Sequence, residues 1–181
     1  MKYGKFLVIF IILFTFSAFA QNEYSKEPGY FNFGDLSMFE QGDGVTEVFL
    51  ESNILQLVAT VTEDEEPELS AMLNGLQLVK VNVFEVSDKN ENGLRNKIDD
   101  LDKKLVSQKW DRIVRTKGGE EVVNVYIKTS GKKDIEGLVV TTLDKSGEAV
   151  FVNIVDIIDL KKIVKFGAKF DIPTLDKIDK Q

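Results

Sequence analysis

The sequence predicts an α+β domain, a two-layer sandwich whose mixed to antiparallel sheet ends in a four-stranded meander and carries its helices packed on one face. Three observations predict it. From Trp110 onward, apolar and polar residues alternate in runs separated by short glycine-containing turns, the pattern of consecutive hairpins. Upstream, Leu94, Ile98, Leu101 and Leu105 recur at four-, three- and four-residue steps, the stripe of an amphipathic helix lying on a sheet. Apolar periodicity then runs nearly unbroken from about Tyr30 onward with no low-complexity stretch, so one layered core accounts for the chain.

The elements follow in order. Lys2 and Lys5, the apolar run from Phe6 to Phe16 and the small residues of Ser17-Ala18-Phe19-Ala20 read as a signal peptide over residues 1–20, cleaved near Ala20. The apolar run is shorter than the roughly 20 residues a membrane span needs. A polar lead covers 21–30, a single α+β domain 31–170 and a C-terminal tail 171–181. Phe33, Leu36 and Phe39 suggest a short helix before the turn Gln41-Gly42-Asp43-Gly44. Val45 to Glu51 alternates as a strand. Ser52 or Asn53 can cap a helix bearing Ile54, Leu55, Leu57, Val58 and Val61. Pro67 and Gly75 bracket a second helix with Leu69, Met72, Leu73 and Leu76 on one side.

Val79, Val81 and Val83 alternate with Lys80 and Asn82 in a strand expected to have one buried face. After the amphipathic helix, strands are expected at Trp110 to Thr116, Glu121 to Thr129, Leu138 to Leu143 and Ala149 to Val155. Asp159 can cap a last helix with Leu160, Ile163, Val164 and Phe166. Lys161, Lys162, Lys165 and Lys169 cluster in or just past it, where a helix dipole favours cations.

Composition narrows the chemistry. The 181 residues include no histidine and no cysteine. Imidazole catalysis, thiol nucleophiles, disulfides and the usual zinc or copper ligands are therefore closed to it. Without a cysteine after the apolar run, a lipid-modified N-terminus is excluded as well. The net charge of −7 becomes more negative once Lys2 and Lys5 leave with the signal, which disfavours nucleic acid and anionic membranes as partners.

What remains is carboxylates, hydroxyls and amines. Asp88-Lys89-Asn90-Glu91-Asn92-Gly93, with Asp99 in twelfth place, has the spacing of a calcium loop. The fit is incomplete: Arg95 stands where such loops carry an apolar residue, and Asp99 replaces the bidentate glutamate. A turn and helix cap explain the same residues. Glu63-Asp64-Glu65-Glu66 with Glu68 could meet a cation or a basic partner, yet acids at a helix N-terminus are favoured in any case. Asp111, Asp156 and Asp159 are the carboxylates that could serve as an acid and base pair, if the fold brought two of them together in a cleft. Ser107-Gln108-Lys109 and Ser130-Gly131-Lys132 are ordinary turn composition, and no glycine-rich phosphate loop occurs. Phe31, Phe33, Phe39, Phe49 and Trp110 are numerous enough for some to line a groove on an uncovered sheet face, with core packing as their default.

Gly44-Val45-Thr46-Glu47-Val48 before a helical stretch, Trp110-Asp111-Arg112-Ile113-Val114-Arg115, and the hairpin series VNVYIK, GLVVTTLD and AVFVNIVDIID together resemble one family, domain-of-unknown-function family 4252. The resemblance spans about Phe33 to Phe170. It implies an envelope location in Gram-negative bacteria and brings no catalytic residues. Family members carry a glycine after the last strand, where this chain has Asp156.

The expectation is therefore a non-catalytic protein- or peptide-interaction module of the bacterial envelope, periplasmic or secreted. It would engage its partner through a sheet edge or the face opposite the helices. No catalytic, cofactor-binding or metal-ligating residue is assigned, and no cofactor is expected. The alternatives are a carrier of a small apolar ligand between sheet and helices, a weak calcium-binding protein and a carboxylate-based hydrolase. Oligomeric state and partner identity stay open.

Overall fold

The computed structural model describes residues 24–39, 44–118, 121–130, 134–144 and 147–158. Among them, β1 (Val45–Glu51) leads directly into α1 (Ser52–Thr62) and α2 (Pro67–Leu73), then β2 (Leu78–Glu85) and α3 (Glu91–Ser107). β3 (Asp111–Gly118), β4 (Glu121–Ser130), β5 (Asp134–Leu143) and β6 (Glu148–Ile158) follow one another. The six strands form one sheet in the order β1-β2-β6-β5-β4-β3, and every pairing is antiparallel. α3 carries the chain from β2 to the far edge. The sheet then grows back strand by strand until β6 pairs with β2, Leu78 opposite Val155.

Period-two alternation sends successive side chains to opposite faces, and here both faces are apolar. On one face Phe84, Tyr126, Val139, Leu143, Ala149 and Phe151 pack against Leu94, Ile98, Leu101 and Leu105 of α3, with Phe31, Phe33, Leu36, Phe39 and Trp110. On the other, Val79, Val123, Val125, Leu138, Val140 and Ile154 pack with Leu55 and Ala59 of α1, Leu73 of α2 and Leu76. The expected two-layer arrangement with helices on one face is thus corrected: α3 lies on one side and the α1–α2 pair on the other. The reason is visible in β2, read as a strand with one buried face. Its valines do face α1 and α2, but Leu78, Asn82 and Phe84 on the opposite side are each 0% exposed.

A second correction concerns Phe33 to Phe39, which form no α-helix. The segment is extended and closes only a single 3-10 turn at Ser37–Phe39. Asn32 and Asp35 accept hydrogen bonds from the amides of Gly34 and Ser37, so local side-chain bonds compete with the helical ladder. Lysines of α3 hold the same strap from its outer side: Lys104 Nζ donates to the Asn32 carbonyl at 2.7 Å and lies 5.1 Å from the centre of the Phe31 ring. Asn153, wholly buried in β6, holds it from beneath, donating to the Gly29 carbonyl at 2.9 Å and accepting from the Phe31 amide at 2.8 Å. At the crossing Gly29 rests on Gly137: a Cβ on Gly29 would run into the Glu136 carbonyl, and one on Gly137 into the Gly29 backbone.

α3 ends in a Schellman turn. The Trp110 amide donates to the Leu105 carbonyl and the Lys109 amide to that of Val106, each at 3.0 Å, with Lys109 at φ 62°. The signal peptide, the Gln41 to Asp43 turn and the last helix expected from Asp159 lie outside the described residues.

Candidate interaction surface

The two strands at the ends of the sheet differ in how they meet solvent. β3 has a register shift between Arg112 and Val114 and exposes Asp111, Arg112, Ile113 and Arg115. A bulge and a row of charges are the standard protection of a sheet edge. β1 has neither the shift nor the density of charge: its seven residues pair with β2 in unbroken register from Val45 opposite Phe84 to Glu51 opposite Leu78. Its exposed Glu47 accepts a hydrogen bond from the buried Asn82 side chain.

Beside this edge the α1–α2 face of the sheet is incompletely covered. Register places Thr46, Val83, Val150 and Thr142 in one row and Val48, Val81 and Val152 in the next. All but the exposed Thr46 are half-buried, whereas Val79 and Ile154, one row further on, are buried beneath the helical pair. The strands therefore present an apolar corner spanning β1, β2 and β6. An open depression of about 310 Å³ adjoins it, bounded by Gly44, Thr46, Val83, Glu85 and Gly147.

α1 adds a second apolar feature. Leu55 and Ala59 face the sheet at 1% and 0% exposure, while Ile54, Leu57, Val58 and Val61 remain 41%, 61%, 39% and 75% exposed. That four-residue ridge follows helical spacing on a side of α1 turned away from the sheet. The acidic run Glu63 to Glu66 lies in the turn at its end. Pro67 then opens α2 with Glu68 in its first turn, the dipole-favoured position expected for it.

A polar side-chain group lies on the other face. Asp102 of α3 accepts a hydrogen bond from the Tyr126 hydroxyl at 2.7 Å and pairs with Arg112 of β3. Burial pushes this carboxyl's pKa up, but the Tyr126 and Arg112 hydrogen bonds with the nearby guanidinium charges outweigh it and hold the group below the ordinary carboxylate value. Burial, with the neighbouring Asp102 charge, raises the Tyr126 hydroxyl. The adjoining cleft of about 110 Å³, lined by Arg95, Asp99, Asp102, Arg115 and Asn124, has room for a few waters and is far smaller than an organic substrate site.

The residues singled out from the sequence scatter. Phe31, Phe33, Phe39 and Trp110 are core residues, 4% exposed or less; Phe49 alone of the five is exposed, its ring edge-on to Tyr24 at 6.5 Å. In the Asp88 to Asp99 run, α3 begins at Glu91, so the later positions are helical and Asp99 points to solvent instead of curling back toward Asp88. The Asn90 side chain ties the turn itself, accepting from the Ser87 amide and donating to the Glu85 carbonyl, both at 2.8 Å. Among the described residues no three acidic side chains are grouped to hold a metal ion. Asp111 on β3 and Asp156 on β6 stand three strand positions apart, about 14 Å, beyond the separation at which two carboxylates share a glycosidic bond. Asp159 lies outside the described residues. Ser107 Oγ donates to the Lys104 carbonyl at the end of α3.

Sequence reasoning missed Asn153, the Asp102–Tyr126–Arg112 group and the Gly29–Gly137 crossing. The available signal was an amide within an apolar strand, a position that is occupied only when its hydrogen bonds are met. No helix among the described residues is long and apolar enough to cross a membrane.

No curated protein matches the chain, and no solved structure matches it. The sequence model described as Domain of unknown function (DUF4252) matches residues 39–166, the stretch that holds the six strands and three α-helices of the described residues, and the chain belongs to that family.

Proposed function

We propose that this protein is an exported, non-catalytic module that binds a protein or peptide of the bacterial envelope by strand addition at β1. The export reading rests on the leader ending at Ala20, and the non-catalytic reading on the absence of histidine and cysteine and on the scatter of the candidate carboxylates. The run of hairpins from β3 to β6, a meander, serves as the rigid scaffold that places β2 and β1 at one border.

One observation carries the reading: β1 is a regular, bulge-free edge bordered by half-buried valines, while the opposite edge is bulged and charged. An added strand gains main-chain hydrogen bonds along β1, and every second side chain settles on the corner of Val48, Val81 and Val152. The alternative of a carrier holding a small apolar ligand between sheet and α3 lacks such support, because that space is filled by the rings of Phe31, Phe33, Phe84 and Phe151 in contact with one another.

The test pairs the wild type with Val48→Lys, which sets a charge beside the edge at a position already half exposed. A partner cross-linked reproducibly from envelope extract should slow amide exchange in β1 and should be lost in the variant by about tenfold or more, given that strand pairing is the binding contact. Equal capture by both proteins would refute the edge, and capture of nothing by the wild type would refute the function.

A further inference from the structure

The ridge of Ile54, Leu57, Val58 and Val61 on α1 is separate from the β1 edge and calls for a different occupant. Four aliphatic side chains, none more than 75% exposed, fall well short of the roughly 800 Å² per partner that a stable dimer buries. A segment of the same chain needs far less area, since tethering replaces association from solution with an effective concentration in the millimolar range.

We propose that residues 159–170, which follow β6, dock along this ridge in cis. The strand register brings the segment to the right place. Val155 of β6 pairs with Leu78 of β2, which pairs with Glu51, the residue immediately before α1. The Gln77 amide donates to the Val155 carbonyl at 3.0 Å, so the return from α2 passes the same point. Val155 thus lies about two strand spacings, roughly 10 Å, from Glu51, and β6 runs only to Ile158 beyond it.

Chemistry matches as well as position. Leu160, Ile163, Val164 and Phe166 recur at helical spacing, and the stretch from 160 to 170 holds Lys161, Lys162, Lys165 and Lys169 with no acid. As the helix its spacing predicts, it would run about 9 to 15 Å from its first residue to Lys165 and Lys169. α1 covers a similar distance from Ser52 to the acidic turn Glu63-Asp64-Glu65-Glu66, so a parallel course sets lysines against carboxylates at the far end. The acidic run and the lysine cluster, each explicable alone by a helix dipole, become one electrostatic contact.

Because the chain has no cysteine, introduced pairs report single contacts in the full chain produced with its leader. Leu57→Cys combined with Ile163→Cys should close an intramolecular disulfide under mild oxidant about tenfold faster than Ile113→Cys with Ile163→Cys, whose first partner lies on the opposite edge. Lys165→Glu with Lys169→Glu should erase that advantage and speed amide exchange in α1 of the otherwise unaltered chain. Equal rates for the two pairs, disulfide-linked dimers in place of a closed monomer, or α1 exchange indifferent to the charge reversal would each overturn the proposal. Val48→Lys should leave all three readouts unchanged, which separates this contact from the one at β1.

Discussion

Lys109 occupies a left-handed conformation, φ 62°, at the end of α3, with its side chain exposed. A β-carbon is disfavoured there, and glycine is the residue that usually ends a helix in this way. Lys109→Gly is expected to raise stability by about 1 kcal/mol, a rise in Tm of about 3 °C in a thermal melt followed by circular dichroism. Asp156 is more strained, at φ 154°, in the bulged stretch of β6 between the pairs Val155–Gly137 and Ile158–Ile135. The sequence puts Asp156 just past the last strand, whereas β6 continues to Ile158 and Asp156 lies within it. Asp156→Gly should exceed Asp156→Ala in stability by about 1 to 2 kcal/mol in denaturant titrations, because both lose the side chain and only glycine relieves the strain.

At the scale of elements, Asp102 couples α3 to β4 through Tyr126 and to β3 through Arg112. Its folded pKa lies below its unfolded value, so its contribution to stability is complete above about pH 4 and is lost as pH falls through the lowered folded value. Denaturant midpoints measured from pH 6 down to pH 2 should therefore fall steeply in the wild type and more gently in Asp102→Asn; parallel curves would show that the pair does not link helix to sheet. α3 itself was legible in the sequence, since its stripe of Leu94, Ile98, Leu101 and Leu105 is the side that is buried. Strand positions were legible to within a few residues, the largest difference being β5, which starts at Asp134 where Leu138 was expected. The strap was not: Phe33, Leu36 and Phe39 have helical spacing, but their burial comes from lying flat beneath α3, and spacing cannot distinguish those two geometries.

For the whole molecule, the decisive element is α1. Its apolar residues surround most of the helix, a pattern that means burial on more than one side. The sequence could not say what lies on each side, and the sheet covers only Leu55 and Ala59. The same holds for acidic chemistry. Asp111 and Asp156 each sit at a plausible position along the chain, and only the strand order β6-β5-β4-β3 sets them apart.

The sequence by itself determined the fold class, the order and approximate limits of most elements, the family, and the closure of imidazole and thiol chemistry, because each of these depends on composition or on local periodicity. The tertiary structure alone decided that helices cover both faces and that β1 is the regular edge and β3 the bulged one. Those outcomes depend on which strands become neighbours, a competition among contacts distant in sequence that no local pattern encodes.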